Sequence, residues 1–419
     1  MKKEQDPLLR NDPVDEEGLT PEEALADRKQ RNKLLWKLFF IVALCAVSIV
    51  IMLQLQGSLS SADMLTFQQM LQLVNVRYLL LSLGVLALML LAEVLKYLFL
   101  IRTMHGKWMP KASTKVMFLG RYYDNMTPAS TGGQPFQAVY LHKRGLSAGT
   151  ATAVPLARYF VSGLVWDIFG IVLMLRYPYV LDFVSNQTMA QVLRVGAWVG
   201  IALNAVAPFT IIFISFFPRF GKKGLLWILR LGAKLHLVKK YYTAAKKVLK
   251  AVDDYTLALK QLCRRFVNFI ILVLLCIGEL FLSGMFPYCI VLTIGGIQPN
   301  TQTMMEVMTL SYMAQFAACY MPTPGGTGFA ETALTVAFSG ITLSANVLFW
   351  VVLIWRIFSY YIYIFIGIVL NITEICRDYA LAAKNRRLLR EKHRAERLQH
   401  RRQLRHGGTG EEKRSEDEK

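Results

Sequence analysis

Apolar residues in this chain fall into long uninterrupted runs, not into the short alternations of a sheet. Runs over 34–53, 78–101, 150–175, 192–217, 266–294 and 347–372 each approach or exceed the about 20 residues that a helix needs to cross a bilayer core. Inside lipid a segment has to satisfy its own backbone hydrogen bonds, so the pattern predicts helices. A membrane β-barrel would need short alternating segments instead. The run at 266–294 leaves one or two crossings open, and Pro287 predicts a kink within it.

Two more apolar segments are interrupted. Residues 113–141 are broken by Thr-Pro-Ala-Ser-Thr-Gly-Gly-Gln-Pro at 127–135, and residues 304–338 by Pro-Thr-Pro-Gly-Gly-Thr-Gly at 322–328. Proline and glycine disfavour continuous helix through either break. Each half of the first segment is also too short to cross as helix. The expected form is a re-entrant hairpin: a helix dips in, the chain unwinds, and a second helix returns.

Loop charge sets the sides. Arg102, Lys107, Lys111 and Lys115 cluster after the second run, paired lysines punctuate 219–265, and arginines crowd the tail after Arg377. The loops 54–76, 177–191 and 295–303 contain no Lys or Arg. The positive-inside bias then puts both termini in the cytoplasm with an even number of crossings. The expected fold is an all-α polytopic membrane protein, with about six spanning helices plus two re-entrant broken-helix hairpins. Counting sides gives each half two spans, a hairpin and a span, in opposite orientation, which is the pattern of an inverted repeat. The expected division is a cytoplasmic N-terminal tail over 1–33, a transmembrane domain over 34–372 with a basic cytoplasmic loop at 218–265, and a basic cytoplasmic tail over 373–419.

Composition agrees. Hydrophobic residues make up 54% of the chain and charged residues only 18%, and the net charge of +20 resides in particular loops, which points to membrane orientation before nucleic acid. The six cysteines lie in or beside apolar runs without metal-ligand spacing and read as small core residues. The stretch 225–248 reads as a basic amphipathic helix suited either to an anionic leaflet or to solvent, and 381–404 has a similar look.

Ionisable residues inside apolar runs need partners or water: Glu93, Lys96, Arg158, Asp167, Glu279, Glu331 and Arg356. Glu93 and Lys96, three apart, are expected to pair with each other. Arg158 and Asp167, nine apart on one helix, cannot pair, so each needs another partner. Arg158 and Arg356 suit a lipid phosphate. A structural pair with Glu331 or Asp167 is the competing reading. Glu331 follows the second break closely enough to favour the helix dipole, and Asp124 and Asn125 precede the first, where they cap or coordinate. The substrate-lining candidates are Asn125, Thr127, Pro128, Gly132, Gly133, Gln134, Arg158, Asp167, Pro322, Pro324, Gly325, Gly326, Gly328, Glu331 and Arg356. Structural turns between packed helices are the alternative for the two breaks. No nucleophile motif, phosphate loop or metal-binding spacing is present, so neither catalytic residues nor a cofactor is expected.

The segment from Asn125 through Gly132, Gly133, Gln134 and Pro135, followed by Tyr140-Leu-His-Lys-Arg-Gly, resembles the first motif of the lysylphosphatidylglycerol synthase transmembrane-region family. Pro322-Thr-Pro-Gly-Gly-Thr-Gly-Phe-Ala-Glu resembles its second. The resemblance covers about 34–372. It implies the lipid-flipping membrane half of the multiple peptide resistance factor proteins, whose other half moves lysine from lysyl-tRNA onto phosphatidylglycerol and whose product protects against cationic antimicrobial peptides. No stretch outside the membrane domain here is long enough to host that synthase. Gln134 and Gln137 stand where many relatives carry an acidic residue and an arginine. The resemblance implies a flippase-like protein of a bacterial inner membrane that handles an anionic or aminoacylated phospholipid, or a lipid-linked substrate. Its partners would be anionic headgroups at the basic loop and tail, and a separate synthase; nucleic acid is not expected. The alternatives are a phosphatidylglycerol lysyltransferase and a membrane scaffold.

Overall fold

The computed structural model describes residues 65–127, 132–216, 218–234, 266–295, 297–341 and 345–374, with isolated positions elsewhere. The helices are, in order, α1 (Phe67–Leu73), α2 (Val76–His105), α3 (Pro110–Met126), α4 (Gly133–Lys143), α5 (Ala148–Arg176), α6 (Gln187–Phe216), α7 (Pro218–Lys234), α8 (Phe266–Ile294), α9 (Thr301–Ala318), α10 (Phe329–Phe338) and α11 (Ala345–Arg356). A 3-10 turn, Pro178–Phe183, links α5 to α6.

Five helices are long and apolar enough to cross a membrane: Val76–His105, Ala148–Arg176, Gln187–Thr210, Phe266–Ile294 and Val347–Glu374. They match five of the six expected runs. The first run, 34–53, lies outside the described residues, as do Pro128 and most of the C-terminal tail. The run at 266–294 is one helix that continues through Pro287, so by length it crosses once.

Helix ends fall at polar caps beyond the apolar runs. Asn75 accepts the Arg77 N–H at 3.1 Å, Ser147 that of Thr150 at 3.2 Å, and Asn186 that of Met189 at 3.1 Å. Each satisfies a donor that the first helical turn leaves open. The last case explains why α6 begins five residues before the expected 192. α2 ends at Gly106, whose φ of 81° is left-handed, with Arg102 and His105 in the last turn facing the negative end of the dipole.

α2 and α8 form the most extensive helix pair, and α9 packs along α6. That second contact depends on Gly200: a side chain there would drive into the Phe316 carbonyl, so the α6 and α9 backbones meet without one between them. Trp166 of α5 stacks on Phe316 with ring centres 4.2 Å apart. Both interrupted segments fold back on themselves. α3 lies against α4, with Tyr123 and Phe136 stacked at 3.6 Å, and α9 lies against α10. The chain through Tyr363 forms one compact unit. A second unit begins at Ile364 and is helical to Glu374, which pairs with Arg377 at 3.8 Å.

Candidate functional site

Between the two turns lies an ion network drawn from four helices. Glu93 of α2 accepts the Arg121 Nε–H with both carboxylate oxygens, at 3.0 and 3.1 Å, and the Arg158 guanidinium at 2.6 Å. Lys96 reaches Glu279 of α8 at 3.2 Å, and Arg121 of α3 bridges to the same carboxylate at 3.6 Å. The expected Glu93–Lys96 pair is therefore replaced. Side chains three apart on one helix are only loosely held together, whereas cations from facing helices reach each carboxylate in a site that excludes water. The network holds three cations against two carboxylates. Burial divides its members: Lys96 and Glu93 are closed off, and Arg121 keeps 38% of its side chain exposed.

That exposed face opens on a cavity of about 680 Å³, lined among others by Arg121, Arg158, Asp124, Asn125, Gln134 and the rings of Tyr159, Trp166, Tyr312 and Tyr320. A second cavity of about 210 Å³ adjoins it through Arg121, Glu279, Ser283 and Gln315, and reaches Gly325, Gly326 and Arg356. Arg121 lies on both. Behind the wall of the larger cavity, Asp167 accepts a hydrogen bond from Asn204 at 2.9 Å, and Asn204 accepts one from Tyr320 at 3.0 Å.

The first turn is held by its own side chains. Asp124 accepts the Gly133 N–H at 2.7 Å, and the Thr127 hydroxyl accepts that of Gly132 at 2.8 Å. These bonds satisfy the open N-terminus of α4 from outside that helix. Asp124 is thus the cap, while Asn125 and Gln134 face the cavity. Gln137 is buried and donates to the Tyr97 hydroxyl at 2.6 Å and the Val116 carbonyl at 3.1 Å.

The second turn is clamped by one buried arginine. Arg356 meets Glu331 at 2.7 Å and donates to the Gly325 carbonyl and the Thr327 hydroxyl, both at 3.0 Å. Glu331 also accepts the Gly328 N–H at 2.8 Å, and the Thr327 hydroxyl donates to the Pro324 carbonyl at 2.6 Å. Gly325 has a φ of 58° and faces Tyr360, so a side chain there meets both backbone strain and a ring. The Arg356 guanidinium lies 4.0 Å from the Tyr360 ring centre, and the helix widens to a π-turn over Ile357–Tyr361 just after it. Of the two readings open for Arg356, the structural pair with Glu331 is the one formed. Arg158 also pairs, but with Glu93, not with Asp167.

The larger cavity therefore takes Asn125, Gln134 and Arg158 from the candidate residues, and the smaller takes Gly325, Gly326 and Arg356. Thr127, Gly132, Gly133, Pro322, Pro324, Gly328 and Glu331 belong to the turns, Asp167 stands behind the wall, and Pro128 is outside the described residues. Arg121, Asn204 and the cavity tyrosines are absent from the candidates. Arg121 was signalled only by its place in an interrupted apolar segment, one helical turn before Asp124 and Asn125. Among the described residues no group of three or more His, Cys, Asp or Glu is placed to hold a metal.

The model of the lysylphosphatidylglycerol synthase TM region matches residues 38–367, which contain both turns, the network and both cavities. The chain belongs to this family. It is a multi-pass membrane protein and carries the membrane domain of the lysylphosphatidylglycerol synthase family. A search of curated proteins finds no match to this chain.

Proposed function

We propose that this protein moves a phospholipid with an anionic headgroup across a bacterial inner membrane, with the larger cavity receiving the headgroup. One observation carries the reading. Arg121 belongs to a network with one cation in excess, keeps 38% of its side chain exposed and lines a cavity of about 680 Å³. That volume falls within the roughly 300–1,000 Å³ of small-molecule sites. A guanidinium recognises phosphate through two parallel N–H bonds, and the low dielectric of a buried site strengthens the attraction. The family match supports a phospholipid of the lysylphosphatidylglycerol type.

The fold supports alternating access around the two turns. α4 and α10, at 11 and 10 residues, extend only about 15–17 Å and are too short for the ~30 Å core. They suit hairpins that enter the bilayer and return. α2–α3–α4–α5 and α8–α9–α10–α11 repeat the order of span, broken hairpin and span, which supports the inverted repeat. The basic segments after α2 and α6 favour cytoplasmic termini.

The test is leaflet-resolved movement of labelled phosphatidylglycerol in vesicles holding the purified chain. Arg121→Gln is expected to lower the rate about tenfold, or ~1.4 kcal/mol in the barrier. It should fold normally, because Glu93 keeps Arg158 and Glu279 keeps Lys96. An unchanged rate removes Arg121 from headgroup binding. Absence of movement for every headgroup in the wild type ends the transport reading.

α7 supports a second lipid contact. It starts two residues after α6 ends and exposes Phe220 and Trp227, seven apart and so on one face, together with Lys223, Arg230 and Lys234. Aromatic rings flanked by cations suit a helix lying in an anionic interface. In vesicles of brominated phosphatidylglycerol, the quenching lost on Trp227→Phe measures this contact. No difference between the two proteins would place α7 in solvent.

A further inference from the structure

Three acidic residues are buried within the long helices α2, α5 and α8, and two of them have cations. Asp167 does not. Its Oδ1 accepts from Asn204, its Oδ2 has no hydrogen-bond partner, and only 5% of the residue is exposed.

The surroundings supply no compensating charge among the described residues. α6 contributes Asn204, with its one cation, Arg194, ten residues earlier. Next to the end of α9 are Cys319 and Tyr320, both neutral. On α9 itself, Glu306 accepts from Tyr179 and Gln302, and Tyr312 donates to the Leu280 carbonyl. The charged groups within the middle of α2 and α8 (Glu93, Lys96, Glu279) are engaged in the network with Arg121 and Arg158, and Arg77, Arg102 and His105 stand at the ends of α2. α4 carries its charged groups, His142 and Lys143, at the end beside the start of α5. A carboxylate held this way, away from water and cations, is costly; the neutral acid is not.

We propose that Asp167 is the proton-binding site that couples lipid movement to a proton gradient. The inference rests on the transport reading and names its energy source. Asp167 is itself no part of the cavity lining, but its partner Asn204 and the Tyr320 hydroxyl bonded to Asn204 are. A headgroup therefore meets the wall, and only something as small as a proton need pass behind it. In the cycle, the Asp167 carboxylate takes a proton from hydronium on one side, forming the Oδ2–H bond. It returns that proton to water on the other, so one proton crosses and nothing is oxidised or reduced. This hydrogen-bond chain joins α5 to α6 and the second hairpin, and separation of α5 from that pair would expose the site alternately.

The experiment uses the full chain in phosphatidylglycerol vesicles, with labelled phosphatidylglycerol and an imposed pH difference. Wild type is expected to move lipid severalfold faster with the gradient than without it. Asp167→Asn, similar in shape and permanently neutral, is expected to lose that response and keep the rate seen without a gradient. Lipid movement that ignores the pH difference overturns the coupling and leaves the transport reading standing. So does movement that responds to a sodium gradient at constant pH. No movement under any condition removes both. A gradient response unchanged in Asp167→Asn removes the assignment to Asp167. Two readouts guard against misfolding. Asp167→Glu should keep the response with a shifted pH midpoint, and an unmoved midpoint counts against the site. Infrared difference spectra should show a protonated-carboxyl band in wild type that Asp167→Asn lacks, and its persistence overturns the proposal.

Discussion

Glu93→Ala is expected to cost about 3–5 kcal/mol, the range for removing one partner of a buried ion pair. The effect should lie at the upper end of that range, because one carboxylate serves two cations. Arg158 is left at 12% side-chain exposure with its Nε already lacking a hydrogen-bond partner, and Arg121 is left with the 3.6 Å contact to Glu279 and the face of Tyr363. With only 12% of the Arg158 side chain exposed, water replaces little of what the carboxylate supplied, so the loss shows as instability. Thermal unfolding of the detergent-purified protein measures it, alongside the yield of monodisperse material. Glu93→Gln keeps the shape and two hydrogen-bonding groups and should fall between wild type and Ala. A Glu93→Ala protein as stable as wild type would mean that the cations find other partners and that the network is not a stabilising unit.

Arg356→Ala is expected to be about as severe, again ~3–5 kcal/mol, and to act on the second turn. It leaves Glu331 fully buried without a cation and strips a donor from the Gly325 carbonyl and the Thr327 hydroxyl. Unwound backbone enclosed in protein is tolerated only while such bonds hold. Hydrogen exchange or limited proteolysis should find 322–328 opened while the first turn, held by Asp124 and Thr127, stays closed. Arg356→Ala combined with Glu331→Ala should recover part of the loss, since no buried charge is then orphaned. If the double variant is the sum of the two singles, the pair does not act as a clamp.

The spans were legible because apolar length alone distinguishes a crossing helix. The errors at their ends came from polar caps such as Asn186, which extend helix beyond hydrophobic runs. The two turns were legible as well, since clustered Pro and Gly stop a helix where a single Pro287 does not. Partner choice was not. Glu93 and Lys96 look paired when read along one chain, and only the approach of α3, α5 and α8 hands Glu93 to two arginines and Lys96 to Glu279. Spacing carries no information about which faces of separate helices meet. Arg121 was overlooked for the same reason: its place in an interrupted apolar segment says nothing of its partners until α3 is placed against α2.

Gly200 has one more consequence. At Gly200 bare backbone on α6 touches the Phe316 carbonyl, so at that crossing no side chain lies between α6 and α9 that could slide or re-rotamer. Close-packed surfaces of this kind shift together or come apart; they do not deform gradually. The second hairpin and α6 are therefore expected to travel as a single rigid piece. A cysteine bridge spanning that seam should leave turnover intact, whereas one tying α6 to a helix outside the pair would freeze the protein in whichever state it was caught.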